Sequence, residues 1–480
     1  MIIAVLDRRD KNATGTVLRV LKALHTEYSG SFGVATSKTC RAKKDVDHLL
    51  SQSIKSTAVI GYTVPEKLQQ NGSKSVKVEN GTLVLTGRIY SSTRNGSTIE
   101  FVANQLKPNL QKALEVLFNE IEGDFAFFVA EIGRIIAGRD PIGTQPLYYG
   151  INRDVAAMAS NRKGLWKLGI EKPHSFPPGH LAFVTREGFK FKPVKTFSYS
   201  KQPKPTTMNE AAGTLHKLLE SSVQKRVRGL KDVAVAFSGG LDSSIVAFLA
   251  KKSGVNVRLI HVSLKNQNET EEAKRAADEL KLPLQAHLFR EDDVERTVGK
   301  VVELVEEIDP VKIAVGVPFY WAANKTANVG VKALLSGQGA DELFGGYQRY
   351  VNEYLAQGKQ KVTRTMFRDA VRLHKNNIER DVKICAFHDV ELRLPFAVYA
   401  IADFALSLPL ELKIEMKADS LRKLVLRKVA ENMGLPATIT KKPKKALQYS
   451  TGVNDALKRI ARRKNVTVRE FLNEIFLKSA

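Results

Sequence analysis

At 480 residues the chain is long enough for two or three domains, each with a core of ordinary size. An apolar fraction of 43% and a charged fraction of 26% are those of a soluble globular protein, and no run of about 18 apolar residues offers a membrane span. The net charge of +25 is abnormal, yet residues 1–200 hold 28 basic and 17 acidic side chains and the remainder 47 and 33, so the excess is not gathered into one nucleic-acid-binding half. One local concentration stands out at 441–464, with nine Lys or Arg against Asp455 alone. Cys40 and Cys385 by themselves make neither a disulfide framework nor a metal cluster. Met1 leads straight into apolar residues 2–6 with no basic run before them, which argues against a secretory leader. A reducing, cytoplasmic location is expected.

The first 200 residues read as β-rich. Short apolar runs at 83–85, 125–131 and 134–138 are separated by Gly, Asn and Asp. One helix is predicted at 110–118, with Ala113, Leu114, Leu117 and Phe118 on one face. Residues 195–209 carry Pro, Ser and Thr without apolar periodicity, and form a linker between domains 1–200 and 201–480. Beyond it helix and strand alternate: helix 211–227, strand 233–237, helix 245–252, strand 257–264, helix 269–280. Such alternation means a parallel sheet with helices on its faces. From about 350 onward the pattern is mainly helical, ending in a basic tail at 456–480 that reads as a docked amphipathic helix.

The strongest chemical signal is SGGLDSS at 238–244, set between the buried strand and a helix. Glycines in such a turn let backbone N–H groups approach an anion, and the helix adds its N-terminal dipole. Ser238, Ser243 and Ser244 supply hydroxyls. Asp242 would repel a bare phosphate, which implies a divalent cation between them. Asp341, at the end of another strand of the same sheet, is the second candidate metal ligand, because ligands collect at the carboxyl edge of parallel sheets. The spacing fits neither the Gly-Lys-Ser/Thr phosphate loop nor the GxGxxG dinucleotide fingerprint.

SGGLDSS resembles the PP-loop of the ATP pyrophosphatases, which cleave ATP to AMP and pyrophosphate. Three further segments, LLSGQGADELFGGYQRY at 334–350, HDVELRLPF at 388–396 and KKALQYSTGV at 444–453, resemble the synthetase half of the asparagine synthetase family. GDFAFFVAEIGRIIAGRDPIGTQPLYYG at 123–150, MASNRKGLWKLG at 158–169 and FPPGHL at 176–181 resemble its glutaminase half. The resemblance implies an α+β Ntn-hydrolase-like sandwich followed by a doubly wound α/β parallel-sheet PP-loop domain with a helical C-terminal part. It implies ATP and Mg2+ bound by Ser238, Gly239, Gly240, Leu241, Asp242, Ser243 and Ser244 with Leu264, Gly337 and Asp341. Lys445, with Lys444 as the alternative, would stabilise the charge on the α-phosphate as a carboxylate attacks it.

Two departures bear on activity. Gln338 stands where most of the family has Glu, and Gln cannot accept a proton from attacking ammonia at neutral pH. Asp381, in the divergent NIERDVKIC segment at 377–385, is a stand-in for an acidic residue of the standard site. In the first domain Ile2 replaces the nucleophilic Cys and Thr86-Gly87 the oxyanion Asn-Gly. No clamping Arg lies near Gly61-Tyr62, nor a Ser-Gly-Asp turn near residues 95–99. Cys40 reads as a small buried apolar residue.

The leading expectation is therefore an AMP-forming amide synthetase that activates aspartate or another small acid, uses ammonia, and hydrolyses no glutamine. Its partners would be small molecules, with no membrane, nucleic acid not favoured and a homodimer left open. A tRNA-modifying pyrophosphatase, favoured by charge, and a non-catalytic ATP-binding scaffold are the alternatives.

Overall fold

The computed structural model describes residues 1–24, 30–65, 75–90, 99, 102, 110–199, 203–265, 267–415, 417, 421–442 and 451–479. It divides into two units, Met1–Thr196 and Phe197–Ala480, parted inside the expected linker.

The first unit is built from β1 (Ile2–Asp7), β2 (Gly30–Ala35), β3 (Cys40–Lys43), β4 (Ala58–Pro65), β5 (Ser75–Val78), β6 (Gly81–Ile89), β7 (Gly123–Glu131), β8 (Arg134–Arg139), β9 (Tyr148–Ile151), β10 (Val155–Ala159), β11 (His174–Ser175), β12 (His180–Thr185) and β13 (Gly188–Pro193). They form two antiparallel sheets, ordered β11-β9-β10-β1-β4-β2-β3 and β13-β12-β8-β7-β6-β5. Alternation along single strands explains the layering. Ile2, Ala4 and Leu6 of β1 meet Ala126, Phe128 and Ala130 of β7 in the core between the sheets. Ile3 and Val5 turn outward onto helix Thr14–Ala23, and Phe125, Phe127 and Val129 onto helix Leu110–Glu120. Both strands are covered on both faces, which is why they read as continuous apolar runs. The result is the expected sandwich of two sheets between helices.

The second unit carries a parallel sheet of β14 (Asp232–Ala236), β15 (Asn256–Leu264), β16 (Leu284–Phe289), β17 (Ala333–Leu335) and β18 (Glu391–Arg393), ordered β16-β15-β14-β17-β18. The chain runs outward from β14 to β16, then crosses back to β17. Right-handed crossovers in opposite directions place their helices on opposite faces, so the sheet is doubly wound. One face is closed by helices Glu291–Val305, Pro310–Asn328 and Glu379–Phe387. Helices Val453–Arg463 and Val468–Ser479 join that core through Leu457, Ile460, Phe471 and Leu472, so the tail is docked. Crevices open where the winding reverses, here between β14 and β17.

The helix after β14 spans Leu241–Lys252, four residues earlier than the apolar pattern indicates. Asp242, Ser243 and Ser244 thus sit on its first turn, where short polar side chains are favoured although they weaken a helix interior.

Candidate functional site

The loop after β14 is folded by its own hydroxyls. Ser243 Oγ lies 3.3 Å from the Ser238 amide and 3.2 Å from Ser238 Oγ, and donates to the Gly240 carbonyl at 3.2 Å. Gly239 has φ +65°, and a Cβ there would lie 2.7 Å from Ala273 Cα, so only glycine fits. The loop after β17 presses against it: a Cβ on Gly337 would lie 2.7 Å from Asp242 Cβ. That contact brings the two candidate metal ligands together.

Lys423, from beyond both loops, completes the pair. Its Nζ is 2.5 Å from Asp242 Oδ2 and 2.6 Å from Asp341 Oδ1, and only 2% of its side chain is exposed. Gly346 makes room, since a Cβ there would meet both Asp341 Oδ1 and Lys423 Cε. A buried ammonium is tolerated only when compensated, and two carboxylates compensate this one.

Gln338 lies beside the pair and donates from Nε2 to Asp381 Oδ2 at 2.8 Å. Asp381 is wholly buried and also accepts from Arg380, at 2.7 Å from Nε and 3.0 Å from Nη2. Burial pushes its pKa up, against the pull of Arg380 and Gln338. Glu342 is buried too; burial and neighbouring Asp341 raise its pKa. Its Oε1 accepts from Tyr347 Oη at 2.5 Å and Asn377 Nδ2 at 2.6 Å. Asn377 belongs to a π-helical turn, His374–Ile378.

These groups surround a cavity of about 170 Å3 lined on its polar side by Ser238, Asp242, Ser243, Gln338 and Asp341. The opposite wall is apolar: Ile260 and Val262 of β15 with Val315, Pro318, Phe319 and Ala322 of helix Pro310–Asn328. His261 is held by the Phe237 carbonyl at 3.0 Å and Thr270 Oγ1 at 3.2 Å, and burial lowers its pKa, so it is neutral near pH 7. A slot with one apolar wall, an N-terminal helix turn and paired carboxylates suits a molecule with a flat apolar part and a metal-bound polyanion.

Of the expected site residues, Ser238, Asp242, Ser243, Gly337, Gln338 and Asp341 line the cavity. Gly239, Gly240, Leu241 and buried Ser244 shape the turn behind it. Leu264 stands at the end of β15 within the core, its amide bonded to the Thr451 carbonyl at 3.0 Å. Lys444 and Lys445 lie outside the described residues. The described chain before them, ending at Lys442, is tethered to the site. Arg427 donates to the carbonyls of Thr440 and Lys442, and Lys442 Nζ reaches the Gly239 carbonyl at 3.2 Å and Glu272 Oε2 at 2.8 Å. Lys423, Asn377 and Arg427 escaped sequence reasoning, which saw Glu342 only as one of two paired carboxylates and Lys442 only as part of the basic run at 441–464.

Elsewhere part of the basic tail is paired. Arg459 and Arg463 pair with Glu291, and Lys464 with Glu295 at 3.0 Å. In the first unit, Ile2 is core and pairs with Tyr62 across β1 and β4. Cys40 departs from the buried apolar role: it is half-buried and its thiol donates to Ser75 Oγ at 2.9 Å, which also bonds Tyr62 Oη at 2.6 Å. Thr86-Gly87 lies on β6, with Gly87 at φ +89° against the Asp124 carbonyl, while residues 95–98 lie outside the described residues.

Residues 214–360 and 352–478 match the asparagine synthase family model, and residues 80–167 match a glutamine amidotransferase domain. A Methanocaldococcus jannaschii protein assigned as asparagine synthetase (glutamine-hydrolysing) 1 is 33% identical over 412 residues, covering 75% of each chain. The asparagine synthetase (glutamine-hydrolysing) of Asparagus officinalis is 29% identical over 444 residues, covering 84% of this chain and 72% of its own.

Proposed function

This chain belongs to the asparagine synthase family and is an ATP-dependent carbon–nitrogen ligase, and from that premise we propose that it joins ammonia to the activated carboxyl group of aspartate or a related small acid, without hydrolysing glutamine. The observation that carries the reading is the convergence of Asp242 and Asp341 on one buried cationic position beside the Ser238–Ser244 turn.

ATP would lay its base against Ile260, Val262 and Phe319, with the triphosphate over the helix start at Leu241. Asp242 and Asp341 would hold Mg2+. The donor set fits, because a cationic group already bridges these carboxylates, and Mg2+ takes one or two carboxylates with phosphate oxygens completing the shell. The ion would supply neutralisation of the triphosphate charge. Lys423, Lys442 and one of Lys444 or Lys445 are the chain's own cations for the phosphates. The substrate carboxylate would form a bond to the α-phosphorus as the bond to pyrophosphate breaks. Ammonia would then form the amide bond as AMP leaves, and the proton it sheds needs an acceptor. Gln338 is not one, and Asp381, to which it donates, is wholly buried and held by Arg380, so solvent or a second ammonia would take the proton.

The absence of glutamine hydrolysis rests on apolar Ile2, which is buried in β1. The nucleic-acid alternative is weakened in part, because Arg459, Arg463 and Lys464 of the tail meet Glu291 and Glu295. The test is pyrophosphate release from ATP and Mg2+, with and without aspartate, supplied with ammonia or glutamine. Aspartate-dependent release that yields asparagine only with ammonia is expected. Asparagine made from glutamine would sink the claim about the first unit, and release indifferent to every small acid offered would sink the ligase chemistry proposed here.

A further inference from the structure

The second unit buries two lysines on one short stretch, and only one is compensated. Lys423 has Asp242 and Asp341. Lys413 is 5% exposed, and among the described residues no carboxylate lies within ion-pair distance of its Nζ. Its backbone is fixed: the amide donates to the Leu410 carbonyl at 2.9 Å and its carbonyl accepts from Leu424 at 2.9 Å. Glu411, two residues before it, is engaged with Lys359. Lys413 borders a second cavity of about 220 Å3 that shares no lining residue with the candidate active site. The wall is apolar, made by Met366, Phe367, Leu406 and Leu408, with the Tyr199 ring edge-on to Phe367 at 5.4 Å. Lys359, Gln360 and Thr363 are its other polar contributors from helix Lys359–Val371.

An uncompensated ammonium in an apolar hollow is costly, and burial lowers the pKa of Lys413 to about 7. That cost is recovered when an anion enters and brings its own apolar body to fill the hollow. We propose that this cavity binds a small organic monocarboxylate with an apolar tail, its carboxylate against Lys413 Nζ and its tail among Phe367, Leu406 and Leu408. The site is independent of the nucleotide cavity and does not rest on the reaction assigned to it.

The probes are hexanoate and phenylacetate, with hexanol and benzyl alcohol as neutral isosteres, titrated into the full chain by calorimetry with saturating ATP present. The acids are expected to bind at least about tenfold more tightly than the alcohols, the difference one charge-assisted hydrogen bond makes. Lys413→Met should abolish that preference. It should also raise the thermal midpoint of the unliganded protein, which shows that it folds. Thr363→Phe, which fills the mouth and keeps the lysine, should weaken both acids and alcohols. Equal affinity for acid and alcohol, unchanged acid binding in Lys413→Met, or no binding of either acid at millimolar concentration would each overturn the proposal.

Discussion

The two units use their buried polar groups in opposite ways. In the first, the wholly buried Asp140 accepts from the amides of Ile142, Gly143 and Thr144 and from Thr144 Oγ1, while Arg139 donates to the Gly143 and Phe176 carbonyls. All of those bonds but the one to Phe176 close on the turn that follows β8, and all are made within the unit. In the second, Asp242, Asp341, Gln338 and Asn377 take bonds from the protein and still face a cavity. Satisfied burial that closes on itself stabilises a fold, and burial left facing a cavity marks a site. The first unit keeps the architecture of an amidotransferase domain, and its polar groups serve that architecture.

The contrast is open to attack at both ends. Asp341→Asn should cut pyrophosphate release about a hundredfold or more, with the protein still folded by circular dichroism. Near-normal release would remove the carboxylate pair from the chemistry. Asp140→Asn should do the reverse, costing about 2 kcal/mol in denaturant unfolding while leaving release in the folded fraction unchanged. A change in KM for ATP would show that this turn is more than structural.

Lys413→Met sharpens the same comparison through pH. The folded pKa of about 7 lies below the ordinary 10.5, so between those values the unfolded chain holds a proton that the folded chain lacks. Wild-type stability therefore climbs with pH through that window, and the variant's advantage is greatest at or below pH 7 and shrinks above it. Equal midpoints at pH 6 and pH 9.5 would contradict this.

The smallest effect concerns His388, packed 4.4 Å from the Tyr320 ring, whose pKa burial lowers to about 4. Below pH 6.5 the unfolded chain takes up a proton that the folded ring refuses, so stability falls as pH drops towards 4. His388→Phe should flatten that part of the acid limb and change nothing above pH 7. A variant that tracks wild type down to pH 4 would discard the effect.

What was legible in the sequence was local chemistry. SGGLDSS declares itself because strand, turn and helix start are contiguous, and β7 declares itself because both of its faces are apolar. The helix start was misplaced because Gly, Asp and Ser look like loop until Gly240 is seen to cap the helix. Lys423 was not legible at all. It meets Asp242 across 181 residues and is one of 75 basic side chains with no local mark. Glu342 is visible in the sequence as the second acid of the Asp341-Glu342 pair, but not that burial and Asp341 raise its pKa.

The π-helical turn at His374–Ile378 sets a trade between regularity and geometry. It carries one residue more than an α-helix needs, and each helical residue turns the chain by roughly 100°. Deleting a single residue there would let the helix run straight into Glu379–Phe387 with better backbone bonding. It would also swing Asn377 about a quarter-turn away from Glu342. A shorter, tidier and sturdier variant would thus lose the bond that holds Glu342 from the cavity side.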